Sequence, residues 1–151
     1  ICTELLAVHA PEQELKVRKS ISTSEKGVRY TATVNPERET VVFQVDGCLI
    51  CDGDKCDKLV LSKNPADTKT WIGHFVELKH SDVEHAIDQL EATIRHTVFK
   101  HPSLTRKYAR IVATRFPANN GNTPFEKARE RFADKYRCNL KRLKPNQPDS
   151  I

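Results

Sequence analysis

CDKLVLSKNPADTKTWIGHFVELK (56–79) holds two β-rich runs, CDKLVLS (56–62) and TWIGHFVELK (70–79), joined by a polar loop that contains Pro65. Branched and aromatic residues at this density, bounded by turn formers, predict two paired strands. Folding the runs about a loop centred near Asp67 sets Asp57 directly opposite Glu77. Opposed residues share a face, with β-carbons roughly 4.5–5.5 Å apart. Lys79 lies two residues beyond Glu77 and points the same way. Two carboxylates that close repel each other unless positive charge sits between them. Lys79 and a divalent cation would supply it. A slip of one residue would send Asp57 to the other face.

Outward from this pair the pattern is orderly. TVVFQVDGCLIC (40–51) predicts a preceding strand, with DGDK (52–55) as the hairpin turn. After Lys79 the period changes. Ser81 with Glu84 forms a capping box, and Val83, Ala86, Ile87, Leu90 and Ile94 predict an amphipathic helix over 82–98. KYARIVATRF (107–116) predicts another strand and ANNGN (118–122) a loop. Thr123-Pro124-x-Glu126 opens a basic C-terminal helix over 124–140. Upstream, 1–10 reads as a helix stopped at Pro11, 28–34 as a strand, and Asn35-Pro36 as a turn. Residues 145–151 read as a loose tail. Strand, strand, strand, helix, strand, helix predicts an α/β (α+β) class in one domain over 1–151, with a central mixed β-sheet flanked by helices.

The 151 residues are 38% hydrophobic and 30% charged, which excludes a disordered or fibrous chain. No apolar run approaches the roughly 20 residues of a membrane span. No secretory leader is evident, and five cysteines are an odd number, so a cytoplasmic protein with reduced thiols is expected. With no methionine present, the chain from Ile1 is expected to lack its first residues.

Charge is unevenly spread. Residues 1–94 hold 11 Lys/Arg against 16 Asp/Glu, and residues 95–151 hold 14 against 4. Such a chain suits cation collection on one side and phosphate contact on the other. A solvated basic helix face would look the same.

Two carboxylates and a backbone carbonyl suit Mg²⁺ or Mn²⁺, which prefer oxygen ligands and keep several waters. Such an ion, with the lysine orienting a water, equips a site for phosphodiester hydrolysis. The tripeptide E-L-K alone says little. Glu14-Leu15-Lys16 repeats it with no Asp-bearing strand ahead and no strand-like run around it. A surface salt bridge would also explain Glu77 and Lys79.

CDKLVL, HFVELK and the helix SDVEHAIDQLEATI together resemble the PD-(D/E)XK nuclease superfamily, over about residues 40–116. The resemblance implies a restriction-endonuclease-like fold and a metal-dependent nuclease acting on DNA more than RNA. It implies Asp57 and Glu77 as Mg²⁺ or Mn²⁺ ligands, the Leu78 carbonyl as a third ligand, and Lys79 as the catalytic lysine. Gln89 is similar to a helix glutamine that some members use near the site, although Thr93 stands where those members carry tyrosine. Cys56 stands where many carry proline. Glu4 is the candidate for the first-helix glutamate of some members. For such an enzyme Arg95, Arg106, Lys107, Arg110, Arg115, Lys127 and Arg131 are expected to contact backbone phosphates. Sequence choice would then need a loop, a homodimer or a protein partner.

Two other readings stand beside this one. A non-catalytic protein of the same fold could bind nucleic acid or a protein partner, as toxin-neutralising proteins do. Cys48, Cys51 and Cys56 could instead hold zinc or part of an iron–sulfur cluster, with Cys2, Cys138 or a distant histidine completing the set. Asp46, Asp52 and Asp54 read as turn residues. Among the histidines, only His80 lies beside the motif.

Overall fold

The computed structural model describes residues 1–116 and 123–151; the loop expected at 118–122 lies outside them. A short helix α1 (Cys2–Val8) precedes a long hairpin of β1 (Gln13–Glu25) and β2 (Val28–Gln44). Then come β3 (Lys58–Lys63), β4 (Trp71–Lys79), α2 (Val83–Arg95), β5 (Leu104–Ala113), α3 (Pro124–Tyr136), β6 (Cys138–Leu143) and β7 (Asp149–Ser150). One mixed sheet of seven strands runs β1-β2-β3-β4-β5-β6, with β7 beside β2. The first four strands form an antiparallel meander; β5 and β6 join parallel through α2 and α3, and β7 is parallel to β2. The class is therefore α+β, a mixed sheet flanked by three helices.

Alternation along the central strands divides the core. Leu59, Leu61, Phe75, Ala109 and Ile111 face the helices and pack on Ile87, Leu90, Ile94, Phe125 and Phe132. Val42, Val60, Val76, Leu78 and Val112 occupy the other face. There Ile21, Val28, Tyr30, Ala32 and Val34 of the first hairpin cover them. Strands β3 and β4 are thus buried on both faces, which explains their near-continuous apolar reading.

Several local expectations change. Residues 11–40 are a hairpin, not a mixed segment, and β2 runs on through Asn35-Pro36 where a turn was expected. Its turn is Lys26-Gly27, both at positive φ (49° and 80°), which a glycine at the second position tolerates and a β-carbon resists. Glu14-Leu15-Lys16 lies inside β1, exposed at the sheet edge, so that copy is strand after all. The strand expected to run to Cys51 stops at Gln44. Residues 45–57 form a compact connection closed by Val45 N–H donating to Asp57 O at 2.8 Å, with Leu49 and Ile50 buried in it. Asp82, not Ser81, caps α2: its carboxylate accepts from His85 N at 3.2 Å. α2 ends at Arg95 and a 3₁₀ turn (Thr97–Phe99) follows. The fifth strand starts earlier than expected, at Leu104, and ends at Ala113. α3 is capped by Thr123 as expected but ends at Tyr136, and 138–143 is strand. The tail is tied down, because Asp149 and Ser150 pair with Ala32 and Thr33.

Candidate active site

β3 and β4 pair with Lys58 opposite Val76 and Leu59 opposite Phe75. Continued one step, this register sets Asp57 against Glu77. Asp57 sits just outside β3, and its Oδ2 accepts from the backbone N–H of Leu78 at 2.9 Å. Glu77 and Lys79 end β4 on the helix-facing side, where Lys79 Nζ lies 3.4 Å from Glu77 Oε1. A cavity of about 220 Å³ brings together Asp57, Glu77, Leu78, Lys79 and Gln89, with Asp46, Glu25, Lys26 and His80 completing its wall.

Glu77 is 1% exposed, so this is no surface salt bridge. Burial, with Asp57 beside it, pushes its carboxyl up to about 8, against the pull of Lys79. Burial also raises Asp57, and the Leu78 N–H partly offsets that. Burial and the neighbouring Asp57 thus favour the neutral form of Glu77 in the metal-free protein. Glu77 Oε2 is buried with no hydrogen-bond partner, and so is Gln89 Oε1 in the same wall. Gln89 itself is anchored by its Nε2, which donates to Lys55 O at 3.2 Å. Buried oxygens without partners cost roughly 1–3 kcal/mol each. A hard divalent cation bound by Asp57 and Glu77 would relieve that cost, so the donor set fits Mg²⁺ or Mn²⁺. Among the described residues no three His, Cys, Asp or Glu side chains form a metal-holding group, and Asp57 with Glu77 is a pair.

Glu4 is not at this site. It stands beside His101, with Oε1 3.5 Å from Nε2, and its side chain is 63% exposed. The glutamate that reaches the cavity is Glu25, at the end of β1. The sequence expectation holds a strand at 28–34 but none over Gln13–Glu25, so Glu25 is absent from it. Glu25 also pairs with Lys58 at 3.2 Å, and Lys58, 3% exposed, reaches Glu12 and Gln44 as well.

The expected phosphate contacts scatter. Arg110 is withdrawn altogether: it is 5% exposed, its Nε donates to Asp149 Oδ2 at 2.7 Å, and Tyr30 OH donates to the same oxygen at 2.8 Å. Arg131 is paired with Glu91 at 3.0 Å. Lys127 and Arg131 line a groove that also contains Glu84 and Asp88. Arg95 and Lys107 line a different cavity, and Arg106 and Lys107 line a further groove with Arg137. Lys107 pairs with Gly73, four residues from Glu77 along the strand, roughly 13 Å away by strand rise. Only Arg115 stays close to the carboxylates; its N–H donates to His80 O at 3.2 Å.

The cysteine trio does not gather. Cys56 is fully buried, its thiol raised by burial and 3.6 Å from Lys58 O. Cys48 lies 3.9 Å from His9 Nδ1, and Cys51 is exposed.

No described helix is long and apolar enough to cross a membrane. No family model, curated protein or solved structure matches the chain significantly.

Proposed function

We propose that the chain is a metal-dependent phosphodiesterase acting on nucleic acid, foremost DNA, with a restriction-endonuclease-like core. The observation that carries this reading is the buried, partnerless Glu77 Oε2, set beside Asp57 and Lys79 in one cavity. A buried carboxylate pair destabilises a metal-free protein. Cation chemistry gives it a purpose.

Asp57 and Glu77 would hold Mg²⁺ or Mn²⁺, with the Leu78 carbonyl as a further oxygen. Bound there, the ion supplies a water of lowered pKa and charge stabilisation at the phosphate. The chain's own groups do the rest. The Leu78 N–H fixes the orientation of Asp57. Lys79, 24% exposed, is open enough to meet a phosphate or a water while its charge offsets the carboxylates. Gln89 stands across the cavity with its amide oxygen free to accept from a water. Lys26 brings positive charge to the rim, and the Arg115 backbone is tied to it at His80. His80 Nε2 donates to Lys26 O at 3.0 Å, which couples the rim to the first hairpin.

The test is cleavage of single- and double-stranded DNA and of RNA with Mg²⁺, with Mn²⁺ and with EDTA. Cut DNA in the metal-containing reactions alone is expected. Intact substrates of every form, with the protein folded, would overturn the reading and leave a non-catalytic binding protein.

A further inference from the structure

The basic residues of the second half converge away from the carboxylates. A cavity of about 700 Å³ opens between the end of α2, the end of α3 and the start of β5. Its wall is Ala92, Ile94, Arg95, His96, Lys100, Lys107, Lys135 and Tyr136, with no acidic residue. Among the described residues, none of Arg95, Lys100, Lys107 and Lys135 lies in an ion pair. The neighbouring carboxylate, Glu91, is already engaged by Arg131 and by Tyr136 OH at 2.8 Å. His96 Nδ1 accepts from Val98 N at 3.3 Å, so its other ring nitrogen carries a proton and is a donor. Burial and the charge of Lys100 both hold Lys107 below its usual value. A concavity lined by one sign of charge focuses the field and concentrates anions.

We propose that this cavity binds a compact polyphosphate of the nucleoside triphosphate class. Four cations match three clustered phosphates, and Ala92, Ile94 and the half-buried Tyr136 give the nucleoside an apolar wall. The volume lies in the roughly 300–1,000 Å³ range of small-ligand sites. A nucleic-acid strand offers the same phosphate chemistry but fits the surroundings less well. Along α2, Glu84 and Asp88 share a groove with Lys127 and Arg131, and Glu91 is paired with Arg131, so the helix offers a strand no uniformly basic path out of this cavity. The site does not depend on the hydrolytic reading.

The test is calorimetric titration of the intact chain, in EDTA, with ATP, inorganic triphosphate and thymidine oligonucleotides of rising length. Saturable ATP binding at one site is expected, tighter than inorganic triphosphate. The double variants Lys100→Glu/Lys107→Glu and Arg95→Glu/Lys135→Glu should each weaken it at least tenfold. Circular dichroism checks their folding, and the second pair lies at exposed positions in case the first disturbs β5. Glu77→Gln should leave ATP binding unchanged. Absent binding, or binding unaffected by the exposed pair, would overturn the proposal. So would inorganic triphosphate binding as tightly as ATP. Oligonucleotides that displace ATP with affinity rising with length would assign the cavity to a strand instead.

Discussion

Asp57 Oδ2 accepts a hydrogen bond at 2.9 Å from the backbone N–H of Leu78, the residue between Glu77 and Lys79. The carboxylate that precedes β3 is thereby clamped to the strand that carries the other two groups. One contact thus holds Asp57 at the end of β4, beside Glu77 and Lys79.

Asp57→Asn keeps an acceptor for that N–H, and Glu77→Gln removes a buried carboxyl whose ionised form repels Asp57. Both proteins are therefore expected to fold, with metal-free stability within about 1 kcal/mol of the parent or, for Glu77→Gln, above it. DNA cleavage should fall on the order of 100-fold or more in each, since several kcal/mol of charge stabilisation at the phosphate is lost. Urea unfolding beside a cleavage assay separates the two effects. A drop in stability that parallels the drop in activity would mean the residues are structural.

His74 gives the clearest pH dependence. It is fully buried, and burial, then the Arg110 charge, pushes it down to about 3 against the pull of Asp149. Its ring stacks on Tyr108 with centroids 5.3 Å apart, and Nε2 lies 3.2 Å from Ser62 Oγ. The native state keeps it neutral while the unfolded chain protonates it near 6.5. Its stability contribution is therefore full above pH 6.5 and is lost as pH falls from there toward 3. Between pH 6.5 and 5 the loss is about 2 kcal/mol. Melting curves of the parent should fall over that range, and those of His74→Gln should fall less. Parallel curves would refute the assignment.

Tyr30, Arg110 and Asp149 form a buried network between β2, β5 and the two-residue β7. Asp149→Ala leaves the Arg110 guanidinium buried without its counter-ion and should cost about 3–5 kcal/mol. Asp149→Leu combined with Arg110→Met should recover most of that. Urea midpoints of the three proteins decide it. A mild single variant would show that the C-terminal strand is dispensable.

Much of this was legible before any coordinates. The register around Asp57 and Glu77 followed from centring the loop near Asp67, while burial on both faces made the two runs legible as strands. The helix over Val83–Arg95 was legible from its spacing. The first hairpin was not, because β1 at the sheet edge exposes most of its residues and carries charges at positions where alternation would show. Glu25 was therefore missed at the cavity. Arg110 looked like surface because nothing local announces a counter-ion 39 residues later, at Asp149. Short strands paired at long range, such as 149–150, have too few residues to carry a pattern.

The most direct measurement is a Mn²⁺ titration followed by electron paramagnetic resonance on the parent, Asp57→Asn and Glu77→Gln proteins. One bound ion in the parent, with affinity reduced at least tenfold in each variant and displacement by Mg²⁺, is the expected result. Equal Mn²⁺ binding in all three folded proteins, or none in the parent, would contradict a cation site between Asp57 and Glu77.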